Sequence, residues 1–153
     1  MKHRKILFVC TGNSCRSPMA EAALKYELKK RGIRWYKVSS AGLSALEGGP
    51  MTEESKQALR EAKIPFSENF KSRQITEKMI KEAYAVIGLT SEHAEILKKY
   101  PNVTSFPAVC GRGIPDPFGR GIDVYRVTLR NIRECLPQII ADYCPTITTE
   151  TEV

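Results

Sequence analysis

No run in this chain of 153 residues approaches the length a membrane-spanning helix needs, about 20 apolar residues. The N-terminal Met1-Lys2-His3-Arg4-Lys5 leads into only four strongly apolar residues, Ile6 to Val9, before Cys10. That is too short for the core of a signal peptide, and a cytoplasmic protein is expected. Histidine is scarce, with two in the chain, and the five cysteines (10, 15, 110, 135 and 144) are odd in number and show no C-x-x-C spacing. Neither a disulfide framework nor a zinc site is supported. No internal repeat is present. Acidic residues are fewer than basic ones, 17 against 24, which leaves a formal charge of +7. The bases are scattered, with short clusters only at Lys2 to Lys5 and Lys29 to Arg31. A solvated basic face explains them first, attraction to anionic phosphoproteins second and nucleic acid third, so no nucleic-acid partner is expected.

What is present reads as one domain over 1–144, followed by a polar tail over 145–153 that is expected to be flexible. Lys5 to Val9 is apolar without alternation, the pattern of a strand covered on both faces. Ser17 to Arg31 reads as a helix that stops at Gly32, and Trp35 to Ser40 as a second strand followed by a turn at Ala41-Gly42. Thr52 caps a helix with Glu53 and Glu54 in its first turn, and Thr76 caps a short one. Tyr84 to Leu89 is the clearest buried strand. A helix opens at Thr90 or Ser91 and reaches about Tyr100, and Val103 to Phe106 is a fourth strand. Pro107 to Gly121 holds three prolines and four glycines and is expected to be a structured loop. Apolar residues from Ile122 to Tyr143 then recur at three- and four-residue steps, giving a long amphipathic helix with a kink expected at Pro137. Four strands alternating with helices imply an α/β fold, a doubly wound four-stranded parallel sheet with helices on both faces. Ligands in such sheets sit at the carboxyl ends of the strands, at the topological switch point. Cys10 lies just past the end of the first strand.

The stretch Cys10-Thr11-Gly12-Asn13-Ser14-Cys15-Arg16-Ser17-Pro18 is therefore the candidate site. Successive backbone N–H groups in such a strand-to-helix loop can turn inward as an anion-binding nest, with the positive end of the helix aimed at the same point. Arg16 adds a planar fork of donors that matches phosphoryl oxygens in pairs. Pro18 suits the first helical turn, where its missing N–H costs nothing. Ser17 can either cap that helix or donate to the Cys10 sulfur. The plain alternative is a turn with two buried cysteines and a surface arginine. Asp116, in Ile114-Pro115-Asp116-Pro117-Phe118-Gly119, is a carboxyl group on a loop stiffened by prolines, suited to protonating a leaving group and then activating water. Taken alone, an aspartate between two prolines is an ordinary turn residue.

The loop string, continued through Met19-Ala20-Glu21, resembles the signature of the low-molecular-weight protein-tyrosine-phosphatase family, and Asp116-Pro117-Phe118 matches the family's acid-loop motif. The similarity runs from Lys5 to about Ala141. It implies a two-step displacement at phosphorus with Cys10 as nucleophile, Arg16 and the loop residues Thr11 to Ser17 holding phosphate, and Asp116 as general acid and then base. It implies no metal and no cofactor, and phosphorylated proteins as partners of a monomer. Asn13, expected in a left-handed conformation, would hold the loop's shape together with Ser17 and Ser40. Ser40-Ala41-Gly42 and Arg73-Gln74-Ile75-Thr76 match further family segments. Many members place a histidine three residues before Arg73 to brace the loop, where this chain has Phe70. Cys15 has two readings that need not exclude each other: a reversible disulfide with Cys10 that guards against over-oxidation, or packing beneath the loop.

Many tyrosine phosphatases of the family carry a bulky aliphatic residue at the position of Ser14. Its protein-arginine phosphatases carry threonine there, with an acid loop that also reads Asp-Pro-Phe-Gly. Ser14 and Phe118 are thus the expected pocket residues, and the resemblance leans slightly to phosphoarginine over phosphotyrosine. An arsenate reductase on the same fold is the alternative enzyme. It would need two relay cysteines, typically after the third strand, and Thr90 to Phe106 contains none. A non-catalytic phosphoprotein-binding module would need neither the thiol nor the acid.

Overall fold

In the computed structural model, residues 3–146 are described. The expected flexibility of 145–153 falls mostly outside that range. Strand β1 spans Arg4–Cys10, β2 Tyr36–Gly42, β3 Ala85–Gly88 and β4 Val103–Ser105. They form a four-stranded sheet in the order β2-β1-β3-β4, and all three pairings are parallel. The chain leaves β1 for β2 on one side and then crosses to β3 on the other. The switch point therefore lies at the carboxyl end of β1, where Cys10 pairs with Gly42.

Both faces of β1 are buried, which is why its sequence does not alternate. Ile6 and Phe8 enter a core with Met19, Leu24, Leu59, Phe106, Tyr125 and Ile132, while Leu7 and Val9 meet Ile80, Val86 and Leu97 on the opposite face. The first face is covered by α1 (Arg16–Lys30), α2 (Glu53–Glu61) and α6 (Ile122–Tyr143), and the second by α3 (Glu77–Glu82) and α4 (Ser91–Ile96). Thr52 and Thr76 cap α2 and α3 by accepting the N–H groups of Ser55 and Met79. Helix α6 is continuous through Pro137.

Four expectations need correction. The Pro107–Gly121 segment is not loop throughout, because a short helix, α5, spans Phe106–Cys110. Ser105 caps it and Pro107 occupies its first turn, where proline is a starter and not a breaker. Helix α4 ends at Ile96, short of Tyr100, and Ala41-Gly42 extends β2 because the pairing with β1 continues through Cys10. Finally, Cys110 and Cys135 form a disulfide. They are 25 residues apart in sequence, but the packing of α5 on α6 brings their Cα atoms to 5.7 Å, a separation that suits a disulfide.

Candidate active site

Strand β1 delivers Cys10 to the carboxyl end of the sheet, and α1 begins at Arg16, so residues 11–15 must turn the chain within one short loop. Asn13 makes that turn possible. It is fully buried with φ of 55°, the left-handed region asparagine tolerates. Every polar group of Asn13 is used. Its Nδ2 donates to Ser17 Oγ at 2.8 Å and Ser40 Oγ at 2.9 Å, while its Oδ1 accepts from the Arg73 N–H at 2.9 Å. Its carbonyl accepts from Ser72 Oγ at 2.6 Å, and its N–H points at Cys10 Sγ at 3.3 Å. The brace associated with a histidine at Phe70 is thus supplied here by Ser72, a residue the sequence did not single out.

Ser17 does not cap α1, whose N-cap is Cys15 without a side-chain hydrogen bond. Its hydroxyl accepts from Asn13 and lies 2.9 Å from Cys10 Sγ, which leaves the hydroxyl proton free for the sulfur. Ser40 donates its own hydroxyl hydrogen bond to Glu21 Oε1 at 2.7 Å. From behind, the exit of β2 holds the loop: the Leu43 and Ser44 N–H groups each reach a loop carbonyl, of Cys10 and Thr11, at 2.9 Å. Only glycine fits at position 42, because a Cβ there would lie 2.7 Å from the Thr11 carbonyl oxygen.

Arg16 is 6 % exposed and donates through Nη1 to the Ile114 carbonyl at 3.0 Å. Its Nη2 lies 4.0 Å from Asp116 Oδ2, so the acid loop faces the guanidinium directly. The Phe118 N–H donates to Asp116 Oδ1 at 3.1 Å and fixes the carboxylate's orientation. Cys10, Thr11, Gly12, Ser14, Cys15, Arg16, Asp116 and Phe118 line one hollow of about 200 Å³. Phe118 stands at its rim with 67 % of its surface exposed. Cys15 is buried beneath, with Tyr125 Oη at 3.3 Å and Thr52 Oγ1 at 3.6 Å from its sulfur. The Cys10 and Cys15 thiols are free. Cys144 is the other free thiol among the described residues, and burial pushes its pKa up to about 12, which leaves it inert. A wider groove of about 460 Å³ between α2 and α6 carries no nucleophile.

His93 was not anticipated as part of this site. It is buried at the start of α4, where its Nδ1 lies 3.2 Å from the Thr90 nitrogen and its Nε2 lies 3.1 Å from Thr11 Oγ1. Burial, and next the charge of Arg16, lower its pKa to about 4, so the ring is neutral at pH 7. No sequence signal pointed to it, because a histidine three residues after a threonine joins a phosphate loop only through the fold.

A thiol, a buried arginine and a carboxyl group around one small hollow suit phosphoryl transfer through a covalent intermediate. The family model of the low molecular weight phosphotyrosine protein phosphatases matches residues 5–145. The chain is 34 % identical over 142 residues to a protein-arginine-phosphatase of Bacillus subtilis, covering 88 % of this chain and 93 % of that one. It is 30 % identical over 141 residues to the low molecular weight protein-tyrosine-phosphatase PtpB of Staphylococcus epidermidis, covering 88 % and 96 %. The solved structure of a mutant YwlE arginine phosphatase with a phosphorylated active-site serine superposes with a TM-score of 0.82 at 35 % identity, over 90 % of this chain and 94 % of that one. The sheet order, the loop at its switch point and these likenesses agree: the chain belongs to the low molecular weight phosphotyrosine protein phosphatase family, and it is a phosphatase.

Proposed function

We propose that the chain dephosphorylates proteins through a phosphocysteine, with a preference for phosphoarginine over phosphotyrosine. The observation that carries this reading is the common hollow in which Cys10 Sγ, hydrogen-bonded within reach of Ser17 Oγ at 2.9 Å, shares its walls with Arg16, Asp116 and the polar Ser14. In this reading Cys10 attacks phosphorus in line. Arg16 and the loop N–H groups hold the equatorial oxygens, and Asp116 protonates the departing atom. Asp116 then takes a proton from the water that hydrolyses the phosphocysteine, and Ser17 stabilises the sulfur as nucleophile and later as leaving group.

Two observations support the preference. Ser14 presents a hydroxyl where a guanidinium can hydrogen-bond, and it offers little apolar wall to a phenyl ring. A relative named as a protein-arginine-phosphatase aligns over most of both chains. We take the protein to act as a cytoplasmic monomer on phosphoproteins, with Cys10 and Cys15 able to close a reversible disulfide that guards the nucleophile against over-oxidation. Among the described residues no helix is long and apolar enough to cross a membrane.

The test is kcat/KM on two peptides that differ only in phosphoarginine or phosphotyrosine, for wild type, Ser14→Ile and Ser14→Thr, with Cys10→Ser as control. Wild type should favour phosphoarginine, isoleucine should reverse the preference, and Cys10→Ser should bind oxyanions without turnover. A wild type that prefers phosphotyrosine, unmoved by either Ser14 change, would overturn the phosphoarginine assignment. Residual turnover in Cys10→Ser would overturn the nucleophile.

A further inference from the structure

His93 sits where a capping glutamate would ordinarily stand. In a capping box the third helical residue reaches back to the N-cap N–H, a task for Glu or Gln. Here Thr90 is the N-cap and His93 fills that third position: Thr90 Oγ1 accepts the His93 N–H at 3.3 Å, and His93 Nδ1 accepts the Thr90 N–H at 3.2 Å. Since the Thr90 hydroxyl oxygen already accepts, its proton is also free for Nδ1, 3.0 Å away. Two donors converge on Nδ1, so the ring proton resides on Nε2. Nε2–H therefore donates to Thr11 Oγ1 at 3.1 Å.

The consequence falls on Thr11. Its oxygen is an acceptor for His93, and among the described residues no other side chain hydrogen-bonds to it. One lone pair and one proton of this hydroxyl remain, on an exposed residue that lines the same hollow as Cys10, Arg16 and Asp116. The hydroxyl is also fixed in place. The Ser44 N–H holds the Thr11 carbonyl at 2.9 Å, and His93 is wedged against β3, where a Cβ on Gly88 would come within 3.0 Å of the His93 Cβ. A glutamate at position 93 could cap α4 but would bring negative charge and no donor to a pocket built for an anion. A neutral histidine accepts on one side and donates on the other.

We propose that His93 is a positioning residue for substrate recognition: it holds the Thr11 hydroxyl as a fixed hydrogen-bonding contact for the phosphorylated side chain at the pocket mouth. The proposal rests on the phosphatase reading above for its substrate, and goes beyond it in assigning a contact outside the phosphate cradle. A pinned hydroxyl binds without first losing rotational freedom, so its effect should appear in KM.

The experiment is a double-mutant cycle with His93→Ala, Thr11→Val and the double variant, plus His93→Gln as the conservative replacement. Each is assayed for kcat and KM on a phosphopeptide and for competitive inhibition by inorganic phosphate. Each single change should raise KM about 5- to 20-fold with little change in kcat. The double variant should be no worse than the worse single, and His93→Gln, which retains an amide donor, should recover to within about threefold of wild type. Inhibition by phosphate should stay within about twofold throughout, because the contact is to the body of the substrate. Losses that multiply in the double variant, singles that leave KM unchanged, or weakened phosphate inhibition in step with KM would overturn the proposal. The last outcome would mean that His93 merely supports the loop. The same cycle read as phosphopeptide affinity in the Cys10→Ser background separates the two ideas. A wild type without turnover overturns the phosphatase reading, while coupled losses of affinity still uphold the contact.

Discussion

Asn13 and His93 show two ways in which a single residue builds this pocket. Asn13 satisfies a strained backbone: its φ of 55° is held by contacts to Ser17, Ser40, Ser72 and Arg73. Its left-handed conformation follows from the crowding of a short strand-to-helix turn, so it could be expected from the loop string alone. His93 instead carries a pH dependence. Its pKa is lowered from 6.5 to about 4, chiefly by burial and then by Arg16, with Asp116 opposing. Because the folded value lies below the unfolded one, the contribution is fully present above about pH 6.5 and is lost as pH falls towards 4. The size of that loss is roughly 2 to 3 kcal/mol. Urea unfolding of wild type and His93→Gln at pH 7 and pH 4 should show wild type losing the greater stability by about that amount. Parallel curves would show that His93 is not held neutral by the fold.

At the level of elements, the acid loop hangs between α5 and α6. Its upstream end is tied by the Cys110–Cys135 disulfide and by Arg112 Nη1 to Asn131 Oδ1 at 2.9 Å. Ile114 is tied on both sides, its N–H to the Leu89 carbonyl at 2.9 Å and its own carbonyl to Arg16. A bridge across 25 residues should stabilise the fold by about 3 kcal/mol through the chain entropy it removes from the unfolded state. Adding a reductant should therefore lower the urea midpoint of wild type. Cys110→Ser should match reduced wild type and be indifferent to the reductant. A wild-type midpoint unmoved by full reduction would contradict this. Helix α5 was hidden in the sequence because Pro107 and Gly111 read as loop residues, whereas each has a regular place at a helix end. The disulfide was hidden for another reason, since pairing two distant cysteines requires knowing that α5 lies on α6.

Over the whole molecule, if the proposed phosphoprotein substrates are anionic, a formal charge of +7 should make their encounter faster than neutral collision. Raising ionic strength from about 10 mM to 300 mM shortens the Debye length from roughly 30 Å to under 10 Å. On an acidic phosphopeptide, kcat/KM should fall several-fold over that range while kcat holds. On an uncharged-background peptide of equal length the fall should be much smaller. Equal salt dependence for both peptides would assign the basic residues to solvation alone.

Local order in this chain was decided by local chemistry. The unbroken apolar run of β1 required two covered faces, and Thr52, Thr76 and Thr90 marked helix starts because their oxygens accept nearby N–H groups. The Cys10–Arg16 spacing set both anchors of the pocket within one turn. These depend on neighbours a few residues away, so the sequence by itself determined them. Tertiary structure alone decided the order β2-β1-β3-β4, the bracing of Asn13 by Ser72, the reach of His93 to Thr11 and the union of Cys110 with Cys135. Each of those joins residues far apart in the chain. Such contacts are chosen by how the faces of the sheet and helices bury one another, and periodicity and capping carry no record of that choice.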